Sequence, residues 1–194
     1  MQEFIGTTKL ALRDQLLAAR RHLPLRVLGE RAHATANHLI ASSEVRRAAT
    51  VAAYVSVSSE PGTGPLLDRL HASGKRVILP LLRADNDLDW GVYDGPDGLQ
   101  TARRGLLEPA GPPLGPEALV TADSVLVPGI AVGSDGIRLG RGGGSYDRAL
   151  ARVPAGTFVC VLLNSEEVLD SVPRDDHDRA VTAVATEHGV RHLG

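Results

Sequence analysis

Four short apolar runs limit what this chain can fold into. They read VAAYVSV (51–57), RVILPLL (76–82), SVLVPGI (124–130) and TFVCVLL (157–163), with Gly, Pro, Ser or Asp at or near their ends. Runs this short that are apolar at nearly every position are typical of strands covered on both faces, as in a parallel sheet flanked by helices. The segment between the first two runs, GTGPLLDRLHASGK, predicts a helix with a glycine stop, which gives a strand–helix–strand order.

The rest of the chain predicts further elements of one α/β domain. Helical spacing of apolar residues predicts helices from about Thr8 to His22 and from Leu25 to Ala41, and GGGSYDRALARV predicts another helix entered through glycine. LDWGVY and AVTAVAT are candidate further strands, whereas the Gly- and Pro-rich segment from Asp94 to Pro116 is predicted as a long surface loop. We therefore expect residues 1–194 to form a single α/β domain with a mostly parallel central sheet flanked by helices.

Composition argues against several classes of function. A formal net charge of -2 gives no overall basic field of the kind that nucleic acids or anionic membranes attract. No run approaches the roughly 20 apolar residues needed to span a bilayer, and MQEFIGTTK lacks the features of a secretory leader. The lone Cys160 lies in an apolar run and suits a reducing compartment. We expect a soluble, cytoplasmic monomer that acts on small molecules.

The segment IRLGRGGGSYDRAL (137–150) has the features of an anion site. Gly142, Gly143 and Gly144 can turn successive amides toward one anion, and Arg138 and Arg141 add guanidinium groups suited to phosphate oxygens. The loop lies between a predicted core strand and a predicted helix, where ligands of open α/β sheets collect. It matches neither the Walker loop nor a full dinucleotide fingerprint. A solvated surface turn is the alternative reading of the same residues.

Other charged residues allow two interpretations each. Asp147 can cap a helix or hold a hard cation that bridges phosphates. Lys9 and Arg13 lie four residues apart on one helix face, where they could grip a polyphosphate or simply be solvated. The acidic segment VPRDDHD (172–178) is interpreted as an ordinary solvated loop, although it could reach the same mouth, and His177 has no partner at zinc-ligand spacing.

Taken together in order, several segments resemble the 5-formyltetrahydrofolate cyclo-ligase family, also called 5,10-methenyltetrahydrofolate synthetases. The resemblance runs nearly end to end and rests on KLALR, Glu60 followed by Thr63, KRVILPLL, GLLEP, LVPGIAVGSDGIRLGRGGGSYDRAL and VPRDDHDRAVTAVATEHGV. It implies a fold like that of ribose-5-phosphate isomerase and CoA transferases. It also implies cyclisation of 5-formyltetrahydrofolate with ATP and Mg²⁺, through a phosphorylated N5-formyl intermediate, with release of ADP and phosphate.

The resemblance also implies roles for particular residues. Arg141 and Tyr146 would be catalytic; Val55, Glu60 and Tyr146 would bind the folate; and Asp147 and Asp178 would be associated with Mg²⁺. The residues that would bind ATP are Lys9, Arg13, Arg138, Leu139, Gly140, Arg141, Gly142, Gly143, Gly144, Ser145 and Tyr146.

The chain departs from the family pattern at three places. The turn that is commonly Glu-Val-Asp-Thr is Glu60-Pro61-Gly62-Thr63, the Phe-Asp before the glycine loop is Val132-Gly133, and Ser145 replaces the first aromatic of Gly-Tyr-Tyr-Asp. These departures leave two alternatives: an ATP-dependent paralogue that acts on another cofactor-pathway substrate, and a non-catalytic nucleotide-binding module.

Overall fold

A computed structural model describes residues 8–194, and residues 1–7, to which the prediction about a leader refers, lie outside the described residues. The helices are α1 (Lys9–Arg21), α2 (Leu25–Ala41), α3 (Ser43–Arg47), α4 (Gly64–Ala72) and α5 (Ser145–Leu150). The strands are β1 (Thr50–Ala52), β2 (Arg76–Leu82), β3 (Leu88–Val92), β4 (Leu99–Thr101), β5 (Leu107–Pro109), β6 (Ser124–Pro128), β7 (Ala131–Val132), β8 (Arg138–Leu139), β9 (Phe158–Leu162), β10 (Ala183–Thr186) and β11 (Gly189–His192). Short 3-10 turns include Arg103–Gly105, Pro116–Thr121 and Ser165–Glu167.

The central sheet confirms the predicted α/β class. It has seven strands within the described residues, in the order β11-β10-β9-β6-β1-β2-β3. The four apolar runs supply β1, β2, β6 and β9, which lie side by side and pair in parallel. Only the outer pairs, β2 with β3 and β10 with β11, are antiparallel among these strands. Every residue of β9 is buried, as expected for a strand covered on both faces.

Helices α2, α4 and α5 cover the two faces of the sheet, whereas α1 packs elsewhere. Helices α2 and α4 bury leucines and alanines against one face, and α5 with the 3-10 turn Pro116–Thr121 packs on the other. Helix α1 instead buries Leu12 and Leu16 against Ile137, Leu139 and neighbouring apolar side chains of the β7–β8 hairpin. This packing places the polar face of α1 beside the glycine loop that follows β8.

The prediction of a long loop from Asp94 to Pro116 is wrong in part. The segment contains an antiparallel hairpin in which Leu99 pairs with Pro109 and Thr101 with Leu107. Each strand is only three residues long, which is too short for alternation of apolar and polar residues to stand out from the turn residues around it. The hairpin packs beside β2 and forms one wall of the smaller of two cavities at the candidate site.

Among residues 8–194, no helix combines the length and the apolar composition that crossing a bilayer requires.

Candidate active site

Two cavities share one wall at the carboxyl ends of the parallel strands. The large cavity has a volume of about 1000 Å³ and lies between the start of α1, the glycine loop and residues 173–179. The small cavity has a volume of about 590 Å³ and lies between the end of the first apolar run, the β4–β5 hairpin and the start of α5. Six residues line both cavities: Arg138, Gly140, Gly142, Gly143, Gly144 and Asp147.

The structure divides the predicted site residues between these cavities. Lys9, Arg13, Leu139 and Asp178 line the large cavity. Val55, Glu60, Arg141, Ser145 and Tyr146 line the small one. Arg141, Ser145 and Tyr146, which the resemblance associates with ATP, therefore lie on the small-cavity side of the shared wall.

The glycine loop adopts backbone conformations that favour glycine. Gly142 and Gly144 have φ values of +92° and +68°, in the left-handed region where a Cβ is strained. A Cβ built at Gly142 would lie 3.6 Å from Cζ of Arg13. The sequence of three glycines thus lets the chain turn closely past a guanidinium group and enter α5 at Ser145.

Lys9 and Arg13 of α1 contact different partners. Arg13 Nε donates a hydrogen bond to the Gly140 carbonyl at 2.7 Å, and Lys9 Nζ lies 2.6 Å from carboxylate oxygens of both Asp175 and Asp178. Burial by itself lowers the Lys9 pKa, but the hydrogen bonds and charges of the two carboxylates outweigh it and raise the pKa. Burial by itself raises the Asp178 pKa, but the hydrogen bonds from Lys9 and from the backbone of Asp175 outweigh it and lower the pKa.

The buried guanidinium group of Arg138 bonds to both β6 and α5. Its side chain is 3% exposed, its Nη2 donates to Asp147 Oδ1 at 3.0 Å, and its Nη1 donates to the Pro128 carbonyl at 3.2 Å. The guanidinium carbon lies 5.8 Å from the centroid of the Tyr146 ring, within the range of a cation–π contact. Its Nε is buried and has no hydrogen-bond partner among residues 8–194.

Glu60 is paired with Arg141 across the small cavity. Arg141 Nε and Nη2 both donate to Glu60 Oε1, at 3.1 and 3.0 Å, while Glu60 Oε2 accepts from the Val57 amide at 2.9 Å. The Glu60 side chain is 8% exposed and that of Arg141 is 51% exposed. The pair therefore joins a buried carboxylate to an exposed cation at the mouth of the cavity.

The unusual turn at Pro61 and Gly62 has a packing reason. Thr63 and Ser56 exchange backbone-to-side-chain hydrogen bonds at 2.9 and 3.0 Å, which closes the turn around Glu60. A Cβ at Gly62 would lie 2.9 Å from Cβ of Ala32 in α2, closer than real Cβ contacts allow. The departure from the family pattern at Gly62 follows from this close approach of α2.

Three polar residues beside the site were assigned no role in it from the sequence. Asp175 and His177 lie close to Asp178, with one donor atom of each within 4.8 Å of the others, so the segment predicted as a solvated loop forms part of the large cavity. Tyr54 lines the small cavity, and its buried hydroxyl has no hydrogen-bond partner within residues 8–194. The acidic segment carried a signal in its charge, whereas Tyr54 lay inside an apolar run and carried none.

The oxygen ligands on the large cavity fit Mg²⁺. Asp147 and Asp178 both line it, Asp175 adds a further carboxylate, and carboxylate oxygens are the protein ligands that Mg²⁺ prefers. Lys9 Nζ lies between Asp175 and Asp178, and its positive charge balances part of the negative charge of these carboxylates.

These features define a class of protein: a mostly parallel α/β domain with a glycine-lined cavity that carries basic and acidic side chains beside a smaller, partly apolar cavity. Comparison with known proteins is more specific. The model of the 5-formyltetrahydrofolate cyclo-ligase family matches residues 5–187. The chain therefore belongs to the 5-formyltetrahydrofolate cyclo-ligase family.

Individual relatives agree with this assignment. The chain is 42% identical over 184 residues to a 5-formyltetrahydrofolate cyclo-ligase of Mycolicibacterium smegmatis, covering 92% of this chain and 93% of the relative. The NMR structure of a 5,10-methenyltetrahydrofolate synthetase from Aquifex aeolicus matches with a TM-score of 0.81 at 30% identity, covering 96% and 93% of the two chains. A synthetase from Mycoplasma pneumoniae matches with a TM-score of 0.75 at 19% identity, over 93% and 99%, and supports the fold alone.

Proposed function

We propose that the protein uses ATP and Mg²⁺ to convert 5-formyltetrahydrofolate into 5,10-methenyltetrahydrofolate, with release of ADP and phosphate. One observation carries the proposal: a cavity lined by Lys9, Arg13, the glycine loop and two aspartates shares a wall with a second cavity that contains a buried glutamate. Two adjoining cavities of these chemistries suit a reaction that joins a polyphosphate to an organic ligand.

The large cavity is the proposed ATP site. Lys9, Arg13 and Arg138 supply charge that complements phosphate oxygens, and the glycine loop allows close approach of the backbone. Asp147 and Asp178 would hold Mg²⁺, which neutralises phosphate charge when bound. Arg13 is already held against the loop by its hydrogen bond to Gly140, so part of the site is organised before ATP arrives.

The small cavity is the proposed folate site. Glu60 can accept hydrogen bonds from ring N–H groups of the pterin, and Val55 and Tyr146 provide apolar walls. Burial is the main factor that raises the pKa of Tyr146, with the Glu60 charge adding to it, so its hydroxyl stays protonated. With its pterin beside Glu60, the substrate would present its formyl group to the shared wall.

The proposed chemistry has two steps. The formyl oxygen attacks the γ-phosphorus of ATP, an O–P bond forms, and ADP leaves. The N10 nitrogen of the folate then adds to the activated formyl carbon, and phosphate leaves with the former formyl oxygen while N10 loses its proton. Arg141 and Tyr146 lie on the wall beside this centre, and such phosphoryl transfer depends on positioning and charge stabilisation more than on a protein nucleophile.

A turnover assay tests the proposal. Purified protein with MgATP and 5-formyltetrahydrofolate should form the methenyl product, followed by its absorbance, with one ADP released for each product molecule. No methenyl product, together with ATP hydrolysis in the presence of another acceptor, would instead support the paralogue. Tight ATP binding with no turnover of any acceptor would support the nucleotide-binding module.

We further propose that the protein is a cytoplasmic monomer. It acts on small molecules and has no nucleic-acid or membrane partner. The net charge of -2 supports the absence of nucleic-acid and membrane partners. The buried thiol of Cys160, whose pKa burial raises, supports a reducing compartment. Light scattering after size exclusion should give the mass of one 20.4 kDa chain. A dimer mass would contradict the monomer.

A further inference from the structure

The hydroxyl group of Tyr54 lies at the small cavity and takes no part in the chemistry proposed above. Tyr54 comes two residues after the end of β1, lines this cavity and is 3% exposed. Its side chain belongs to the core cluster in which α2 and α4 pack on the sheet. Close packing of this kind restricts the ring, and with it the position of the hydroxyl oxygen.

The Tyr54 hydroxyl is buried without a hydrogen-bond partner among residues 8–194. Glu60 does not supply one, because its Oε1 accepts from Arg141 and its Oε2 accepts from the Val57 amide. Buried tyrosine hydroxyls usually have a partner, and one that lacks it destabilises the protein. Such a group in a native protein needs a ligand or a water molecule to complete it. Since Tyr54 lines a cavity, the occupant of that cavity can be the missing partner.

The Tyr54 hydroxyl is a donor at neutral pH. Burial is the main factor that raises the pKa of Tyr54 well above its usual value, and the Glu60 charge adds to it. Among the charges that act on Tyr54, that of Glu60 is the strongest, and both residues line the small cavity. A ligand bound by both groups would therefore present N–H groups to the carboxylate and an oxygen acceptor to the hydroxyl.

Arg138 provides a second observation of the same kind. Its Nε is also a buried donor that lacks a partner in the described part of the chain, and Arg138 lines both cavities. Two donors without acceptors thus belong to residues of the small-cavity wall. This arrangement favours an occupant that carries hydrogen-bond acceptors of its own.

We propose that Tyr54 is a substrate-binding residue whose hydroxyl donates a hydrogen bond to the ring carbonyl oxygen of the pterin; this inference rests on the proposed function. In a pterin the carbonyl group at C4 is next to the N–H group at N3. A carboxylate that accepts from the ring N–H groups therefore leaves that oxygen beside it, where it needs a donor. Together, Glu60 and Tyr54 would select a ring with this order of donor and acceptor groups.

Calorimetric binding of each substrate separately tests the contact without turnover. Tyr54→Phe removes the hydroxyl and keeps the ring. It should weaken binding of 5-formyltetrahydrofolate about tenfold, because a donor without a partner in the free protein gives up no hydrogen bond when the ligand binds. Binding of Mg²⁺ with adenylyl imidodiphosphate, a non-hydrolysable ATP analogue, should stay within about twofold. The urea midpoint of the ligand-free variant should not fall, since the variant loses an unpartnered buried polar group.

Infrared difference spectra of bound 5-formyltetrahydrofolate with a ¹³C label at C4 identify the acceptor. A hydrogen bond lowers the stretching frequency of a carbonyl group, so the labelled band should lie at higher frequency in Tyr54→Phe than in the wild type. The band of a ¹³C label in the formyl group should not move. A shift of the formyl band with no shift of the C4 band would overturn the assignment of the acceptor.

Tyr93→Phe is the matched control, because Tyr93 is buried, packs edge-on against His71 and lines neither the large nor the small cavity. It should change neither affinity nor either band. Unchanged folate affinity of Tyr54→Phe would assign its hydroxyl to a buried water molecule and overturn the inference, even if the enzyme turns over. Equal weakening of folate and nucleotide binding, or a lower urea midpoint, would overturn it as well.

The same measurements separate this inference from the proposed reaction. Folate binding that depends on the Tyr54 hydroxyl, in a protein that forms no methenyl product, would uphold the contact and remove the reaction. Absence of 5-formyltetrahydrofolate binding by the wild type would overturn both.

Discussion

At the scale of single residues, the carboxylates of the site are paired with cationic side chains. Asp178 is bound to Lys9, Asp147 to Arg138, and Glu60 to Arg141. The same residues are the ones expected to bind metal, phosphate and pterin. Ligand binding therefore requires these carboxylates and cations to release one another and to contact the ligand instead.

Replacing Asp147 with asparagine should lower kcat by about 100-fold or more, a loss typical of removing one preorganised charged or polar group from a reaction centre. The amide keeps the size of the side chain but removes the charge that faces Arg138 and the large cavity. The measurement is steady-state kcat at saturating MgATP and folate.

Asp97→Asn, a change of the same chemistry at an exposed residue that lines neither the large nor the small cavity, should leave kcat unchanged. Urea unfolding should give similar stability for Asp147→Asn and the wild type. Normal turnover by Asp147→Asn would contradict its placement in the reaction centre.

Residue types and spacing alone predicted the site only in part. Gly142 to Gly144 and the neighbouring arginines indicated an anion, but Lys9, Arg13 and the acids each kept a solvated alternative until the family resemblance combined them. Asp175 was missed because its proximity to Lys9 depends on contacts 166 residues apart in sequence. No local pattern encodes such a contact.

At the scale of elements, α1 is attached to the domain by a buried ion pair. Arg20 Nη2 donates to Glu167 Oε2 and to the Gly129 carbonyl, both at 2.7 Å, and the two side chains are 1% and 5% exposed. Glu167 also accepts from the Asn164 amide at 2.9 Å. Because Gly129 lines the small cavity, this network connects α1, the helix that carries Lys9, to the wall of that cavity.

Replacing Arg20 with methionine should destabilise the protein by about 3–5 kcal/mol, because it leaves the Glu167 charge buried without its partner. The double variant Arg20→Met/Glu167→Met should recover much of this loss, since no unpaired charge remains. Urea unfolding gives both values. Arg26→Met, which breaks an exposed pair on α2, should cost less than about 1 kcal/mol; a similar cost for Arg20→Met and Arg26→Met would show that burial of the pair is unimportant.

The contact of Lys9 with Asp178 should make stability depend on pH. The pKa of Asp178 is lowered by folding, so its contribution is present above its unfolded pKa, about 4, and is lost as the pH falls through the folded value. The pKa of Lys9 is raised, so its contribution is present below about 10.4 and is lost as the pH rises through the folded value.

Lys9→Gln should accordingly lower the thermal midpoint at neutral pH and make its decline between about pH 5 and 3 shallower than in the wild type. Thermal unfolding followed by circular dichroism at several pH values measures this. Arg21→Gln removes a charge from an exposed position of the same helix and should leave the wild-type acid dependence in place. Parallel curves for Lys9→Gln and the wild type would rule out the contribution.

Elements were predictable where sequence periodicity is long enough. Three of the apolar runs and the α1, α2 and α4 patterns extend over seven or more residues and were predicted close to their observed bounds, whereas the first run, 51–57, forms a strand only in β1, Thr50–Ala52. The β4–β5 and β7–β8 hairpins have strands of three and two residues. Their pairing is set by packing against β2 and α1, which sequence periodicity does not report.

At the scale of the whole molecule, the two cavities separate the proposed ligands except along the shared wall. Glu60 lines only the small cavity, and Lys9 and Arg13 line only the large one. The order β9-β6-β1-β2 explains the arrangement, because the loops after β1 and β6 leave the same edge of neighbouring parallel strands.

Glu60→Gln should therefore raise KM for the folate about tenfold or more while KM for ATP changes by less than about threefold, as expected for losing one charged hydrogen bond in one cavity. Glutamine preserves the shape of the side chain, so the cavity should remain intact. Steady-state kinetics with each substrate varied in turn gives the two constants. An equal rise in both would show that the cavities do not divide the ligands.

The paired side chains of the cleft have a consequence for selectivity. An anion that binds Lys9, Arg138 or Arg141 competes with the carboxylate that each cation contacts, and a displaced carboxylate then needs a new cation or donor. An anion that binds one of these cations alone leaves its carboxylate without a partner. A triphosphate with its metal can contact several of the charged side chains at once. We therefore expect a triphosphate with its metal to bind this cleft more tightly than a simple inorganic anion.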